Sequence, residues 1–271
     1  MEATGSGRPA IDSTVPHPAR RYNYWLGGKD NFAADRASGD MIEAAFPDVR
    51  TGALANRALL RRATRFLAAE AGIRQFLDIG TGLPTADNTH EVAQSVAPES
   101  RIVYVDNDPL VMVHARALLT TSPQGRTSYI EADLRDPGTI LRHPALRETL
   151  DLGRPVGLML IAVLHFLPGD GAARPIVEEL LAALPSGSYL VATHATSDFG
   201  SPDQQARYRE MMEQGKSDVW TRGRDEFAEL FTGLEVVAPG VVPAQRWRPD
   251  PGDPDWTDQQ VNVWTAVGRK A

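Results

Sequence analysis

Residues 155–167, PVGLMLIAVLHFL, constrain the fold of this chain more than any other stretch. The run is almost unbroken in its apolar character, as expected of a central strand covered on both faces. Such strands belong to parallel sheets with helices on either side. No run in the chain approaches the roughly 18 apolar residues that a membrane-spanning helix needs. A crossover helix is expected directly afterwards, over residues 172–184 (AARPIVEELLAAL).

The same alternation runs through most of the 271 residues. Apolar positions recur at helical spacing over 51–71, and Gly72 is placed to end that helix. Strands are expected at 75–80, 101–105 and 128–132, with helices at 87–96 and 109–119 between them. A fifth strand is expected at 187–195. Ser201-Pro202-Asp203-Gln204 then reads as a capping box opening a helix. A short helix at 225–231 leads to strands at 234–237 and 261–268, joined by a proline-rich loop. Strands alternating with helices require a parallel sheet with right-handed crossovers, whereas the last two strands are free to pair antiparallel. Five parallel strands and a terminal hairpin are therefore expected in one domain, residues 19–271, with an N-terminal helical extension over 19–72. Residues 1–18 are rich in Gly, Ser, Thr and Pro and read as a disordered leader. They contain no apolar segment of the secretory kind, so a cytoplasmic location is expected.

Composition excludes several chemistries. Zero cysteines rule out disulfides, thiolate nucleophiles and cysteine-bound zinc, and the six histidines show no metal-ligand spacing, so no metal is expected. A net charge of −7 argues against a broad nucleic-acid surface. Arg57, Arg61, Arg62 and Arg65 share one helical side and read as a solvated face.

The chemistry concentrates in FLDIGTGLPT, residues 76–85. A strand ending in Asp78 and passing into Gly80-Thr81-Gly82 puts small residues at the carboxyl edge of an open α/β sheet, where ligands bind. Asp106 ends the second strand, where a carboxylate accepts from both hydroxyls of a ribose. Asp133 follows the third, positioned to read an adenine edge together with the Leu134 amide. A dinucleotide oxidoreductase loop would need Gly or Ala at position 85, which is Thr85, and leaves Asp133 without a role. His165 and His194 fall at the ends of the fourth and fifth strands as candidate general bases, since an imidazole titrates near neutrality. His90 reads as a packing residue. His17, His114 and His143 give no signal.

With Asp78-x-Gly80-x-Gly82, Asp106 and Ala132-Asp133-Leu134, the chain resembles the class I S-adenosylmethionine-dependent methyltransferases. It also resembles, over nearly its whole length, the bacterial S-adenosylmethionine-dependent methyltransferase family known as DUF574, through RRYNYWLGGKDNFAADR, FLDIGTGLPTADNTHEVAQ, VYVDNDPLVMVHARALL, AVLHFLP and GLEVVAPGVV. Pro84 departs from the broader pattern, standing where a third glycine is common. The resemblance implies a Rossmann-like α/β fold with a mostly parallel seven-stranded sheet, an antiparallel terminal strand and helices on both faces. It implies S-adenosylmethionine as cofactor and S-adenosylhomocysteine as product. The cofactor-binding set expected is Asp78, Ile79, Gly80, Thr81, Gly82, Asp106, Asn107, Ala132, Asp133, Leu134, Ala162 and His165, with Tyr22 and Lys29 added from the N-terminal arm.

The N-terminal arm RRYNYWLGGKDNF, residues 20–32, is expected to fold over the sheet edge as a lid. In that reading Tyr22, Asn23, Tyr24 and Trp25 face the cofactor or acceptor, and Lys29 or Arg21 pairs with the methionine carboxylate. The bland alternative is that the rings only anchor the arm. Met211, Met212 and Trp220 either line an apolar acceptor pocket or fill core. The expected activity is methyl transfer to the O or N nucleophile of a small molecule, with neither nucleic acid nor membrane as partner. The residues themselves leave open a regulatory module that binds the cofactor without turnover, and an aminopropyltransferase, for which only Asp170 is in place.

Overall fold

A computed structural model describes residues 11–118 and 122–271. The expected leader lies outside these for residues 1–10. Residue 119, the expected end of the second crossover helix, also lies outside. Where the leader is described, it is engaged: the His17 N–H donates to Asp35, and Arg20 reaches the Asp12 carbonyl at 2.7 Å.

Five strands, β1 (Gln75–Ile79), β2 (Arg101–Asp106), β3 (Arg126–Glu131), β4 (Gly157–Leu160) and β5 (Tyr189–Ala195), pair in parallel. After them come β6 (Leu234–Val236), β7 (Val242–Pro243) and β8 (Val263–Lys270). β8 inserts antiparallel between β5 and β6, giving the order β3-β2-β1-β4-β5-β8-β6. The expected hairpin is thus present. The two-residue β7 adds an eighth strand that its single proline-bearing pair of residues does not announce.

Successive residues of the central strands serve opposite faces. Leu77, Val103, Leu158 and Leu160 belong to one core with α8 (Ala173–Ala182), whereas Phe76, Ile102, Tyr104 and Met159 belong to another beneath α3 (Val49–Ala69) and α4 (Thr89–Val96). That two-sided burial is what the apolar run at 155–167 demanded.

The strand, however, occupies only the first part of that run. Ala162 takes φ +54° with its N–H on the Thr193 hydroxyl at 2.8 Å, and Leu164–Phe166 form a 3-10 turn. Ile161, Leu164 and Leu167 remain buried, so hydropathy continues through a bend that it does not reveal.

The N-terminal extension is three helices: α1 (Pro18–Trp25), α2 (Ala33–Ala45) and α3. The arginine side of α3 is only partly solvated: Arg65 is exposed and Arg62 is buried. Arg61 and Arg65 meet Asp250 of the proline-rich loop, while Arg62 is buried, donating to Asp253 at 2.7 Å and to the Ala244 and Trp247 carbonyls. Arg57 caps the Ala86 carbonyl and Asn88. Charge spacing predicted a helical face correctly, but not the acidic loop that folds back across it.

Candidate active site

Strand order reverses between β1 and β4, so the loops leaving these two strands part and open a crevice at the carboxyl edge. Gly80 and Gly82 shape its β1 side with φ of +75° and +68°. They are not equivalent. A Cβ on Gly80 would lie 2.5 Å from Val163, so the β1 and β4 loops touch there, while a Cβ on Gly82 would meet nothing within 4 Å. The first glycine closes the floor and the second leaves room above it. The N–H groups of Gly80 and Thr81 both donate to the Val105 carbonyl, tying the loop to β2.

Two buried carboxylates flank this turn. Asp78 accepts from the Thr89 hydroxyl at 2.6 Å, and burial pushes its carboxyl up to about 6, with Thr89 opposing. Asp106 accepts from the Gly82 N–H at 2.8 Å and the Asp108 N–H at 2.9 Å; burial raises it as well, against those two bonds. Each Asp106 oxygen accepts one N–H this way and has acceptor capacity to spare. Neither carboxylate makes an ion pair among the described residues, so the crevice carries unneutralised negative charge.

Farther along the edge, Asn107 donates to Asp133 at 3.1 Å, which joins the ends of β2 and β3. Asp133 is held at about 2, chiefly by the Arg135 guanidinium. Ile79 and Leu134 send their side chains into the core, and Ala132 packs against it. These three therefore have only backbone groups to offer a ligand.

The two histidines differ. His194 is fully buried, with Nδ1 at 2.8 Å from the Ala195 carbonyl and Nε2 at 2.7 Å from Arg222. Nδ1 must donate and Nε2 must accept, so no lone pair is left for a proton, and burial drives its basicity far down. The arrangement contradicts a general base at His194. His165 is part-buried, and its Nδ1 is sealed from solvent with no partner. Burial lowers it to about 4, Asp218 pulls upward, and Arg222 and Arg21 push down.

Arg222, which carried no sequence signal, spends all five N–H donors here. They reach Glu226, His194 and the carbonyls of Leu164, Leu167 and Gly169, fixing the turn that bears His165.

The arm lies across this edge, though its rings mostly do the bland job. Tyr22 donates to the Ala53 carbonyl and accepts from Asn56, Tyr24 donates to Asp40, and the Trp25 indole reaches the Gly39 carbonyl. Asn23 organises the turn at Asp30 and Asn31. Lys29 is exposed, with no ion pair among the described residues. The arm's long-range ion pairs come from the two arginines instead. Arg20 forms a bidentate pair with buried Asp108, both bonds at 2.8 Å, two residues beyond Asp106. Arg21 pairs with Asp218, in the segment after α9 (Pro202–Glu213), and its buried Nε has no partner. The doublet at 20–21 was visible in the sequence, but its acidic partners lie 88 and 197 residues away.

His90 packs as expected, bonded to the Tyr104 hydroxyl. His17 and His143, silent in the sequence, cap α1 and α7 (Pro144–Thr149). The Met212 sulfur accepts from the Thr221 N–H, and Trp220 reaches Asp170 at 3.3 Å.

An adenosine-bearing cation fits these residues: an open turn at Gly82, spare acceptor capacity on Asp106, buried negative charge at Asp78, and an amide–carboxylate pair at the ends of β2 and β3. The S-adenosyl methyltransferase family matches over residues 4–271. A DUF574 family protein of Streptomyces avermitilis superposes with a TM-score of 0.90 at 47% identity, covering 97% of this chain and 100% of that one. A protein of Thermobifida fusca proposed to be a methyltransferase gives 0.86 at 44% identity, covering 98% of this chain and 99% of that one. An O-methyltransferase family protein of Burkholderia thailandensis shares the fold at 16% identity and a TM-score of 0.51, covering 88% of this chain and 62% of that one. No curated protein matches. With the β1–β4 crevice built as above and the match extending over the whole sheet and its N-terminal arm, the chain belongs to the S-adenosyl methyltransferase family and is an S-adenosylmethionine-dependent methyltransferase.

Proposed function

We propose that this enzyme methylates an oxygen or nitrogen nucleophile of a small molecule in the crevice between the β1 and β4 loops. The observation that carries the reading is the meeting there of the open Gly82 turn with two buried, unpaired carboxylates, Asp78 and Asp106. Bound at this edge, the cofactor supplies a methyl group already activated on a sulfonium.

The chain's own work is then alignment and exclusion of water. Asp106 takes the ribose hydroxyls, and Asn107, Asp133 and the Leu134 amide take the adenine. Asp78 complements the positive charge. Ala162, Thr81 and the backbone of Ile79 and Ala132 line the path. Arg21, buried and still short of an acceptor at Nε, takes the methionine carboxylate in preference to exposed Lys29. Tyr22 stabilises the arm through α3 and does not reach for the ligand. Residues 18–25 and the 214–222 segment, joined by Arg21 and Asp218, cover the site. His165 receives a proton where the acceptor must lose one, and His194 only positions the strand end. The buried carboxylates Asp78 and Asp106 favour a small neutral or cationic acceptor over a nucleic acid.

The test is release of S-adenosylhomocysteine from S-adenosylmethionine across a panel of small alcohols, phenols and amines. Calorimetry establishes cofactor binding in parallel. Tight binding with no product from any of these nucleophiles overturns the proposal.

A further inference from the structure

Two donor or acceptor positions near the β4 end are buried and unmet, Nε of Arg21 and Nδ1 of His165, and one carboxylate, Asp218, is paired with the first and acts electrostatically on the second. Arg21 holds that carboxylate now. The Trp220 N–H donates to the His165 carbonyl at 2.7 Å, so the segment carrying Asp218 is already stitched to the turn carrying His165. Asp218 is also 45% exposed on its side chain, which leaves it room to turn.

We propose that Asp218 is a counter-ion shared between Arg21 and His165, and that an anionic ligand group seated on Arg21 releases it to His165. This rests on the cofactor reading above, in which that group is the methionine carboxylate. An arginine stays charged whatever its surroundings, so its demand for an anion is permanent. A ligand carboxylate meets that demand through the vacant Nε, and Asp218 then becomes the acceptor that Nδ1–H of His165 lacks.

The charged and titratable groups around His165 are Asp218 and Arg222 from the 214–222 segment, Arg21 from α1 and His194 from β5. Arg222 and His194 are locked to each other and do not change. Neutralising Arg21 and approaching with Asp218 act in the same direction: both favour the imidazolium. His165 is therefore a poor base in the free chain and a competent one once the cofactor is seated. Asp218 is a positioning residue in this scheme.

The experiment is an NMR titration of histidine-labelled, full-length protein between pH 4 and 7, with His165 assigned from a His165→Gln variant. Saturation with S-adenosylhomocysteine is expected to move the His165 midpoint up by about one pH unit or more, a tenfold gain in proton affinity. Asp218→Asn is expected to bind the same ligand without that rise. Arg21→Gln is expected to show the rise with no ligand at all. An unchanged midpoint in the saturated protein, or an equal rise in Asp218→Asn, overturns the proposal. If calorimetry shows that S-adenosylhomocysteine does not bind, the cofactor reading fails, and the ligand-free Arg21→Gln protein decides the shared counter-ion separately. Should Arg21→Gln lose the dispersed signals of the other histidines, the Asp218→Asn comparison decides.

Discussion

Replacing Asp78 with Asn separates what this carboxylate costs the fold from what it gives the ligand. Its carboxyl sits at about 6 in the folded chain against an ordinary 3.8, because burial to 3% exposure penalises the charge. Each pH unit of difference is worth about 1.4 kcal/mol. The ionised group therefore costs the cofactor-free fold about 3 kcal/mol.

The sign follows from proton uptake. Because the folded value is raised, the folded chain holds a proton that the unfolded chain releases between pH 3.8 and about 6. Stability from this group thus falls as pH rises through that window, and the full cost is present above it. Asn still accepts from Thr89 but leaves amide N–H groups without acceptors, which returns about 1–2 kcal/mol. The variant is expected to be less stable than the parent by that amount at pH 4. By pH 8 it should be more stable by about 1–2 kcal/mol, a swing of about 3 kcal/mol across the range. Urea unfolding of both proteins at five or six pH values measures it. Calorimetry with S-adenosylmethionine at pH 8 should show affinity reduced roughly tenfold or more in the variant, since a buried partner for the cation is gone. A stability difference that does not change with pH, or undiminished affinity, refutes the argument that Asp78 is a strained buried charge kept for its ligand.

Three further outcomes are expected. Gly80→Ala meets both Val163 and a positive φ, and should destabilise the fold by about 2–3 kcal/mol in thermal unfolding, whereas Gly82→Ala meets only the φ penalty of about 1 kcal/mol and should instead lose cofactor affinity by calorimetry. Arg20→Met strands buried Asp108 and should cost about 3–5 kcal/mol, with the arm becoming the first site cut in limited proteolysis. Arg222→Met removes acceptors' partners at Leu164, Leu167 and Gly169, and should shift the His165 NMR signal even where unfolding midpoints recover in stabilising osmolyte.

Much of the crevice could be read along the chain because its parts are local. Asp78, Gly80 and Gly82 sit within five residues, and a strand that ends in a glycine turn carries its own geometry with it. Asp106 and Asp133 are legible the same way, as acidic ends of apolar runs, and the fold places both at the carboxyl edge of the sheet. Patterning failed where burial outlasted secondary structure: the run at 155–167 stays apolar through the bend at Ala162, so the strand and the turn that aims His165 look alike in sequence.

By itself, then, the sequence determined a parallel sheet buried on both faces, its glycine turn and its row of acidic strand ends, since each depends on residues near one another in the chain. Only tertiary structure decided what the charged residues do. Arg21 meets Asp218 and Arg222 meets His194 across long chain separations. A guanidinium in sequence shows that it needs an anion or a set of carbonyls; which ones come within 3 Å is settled by how the sheet brings distant loops together.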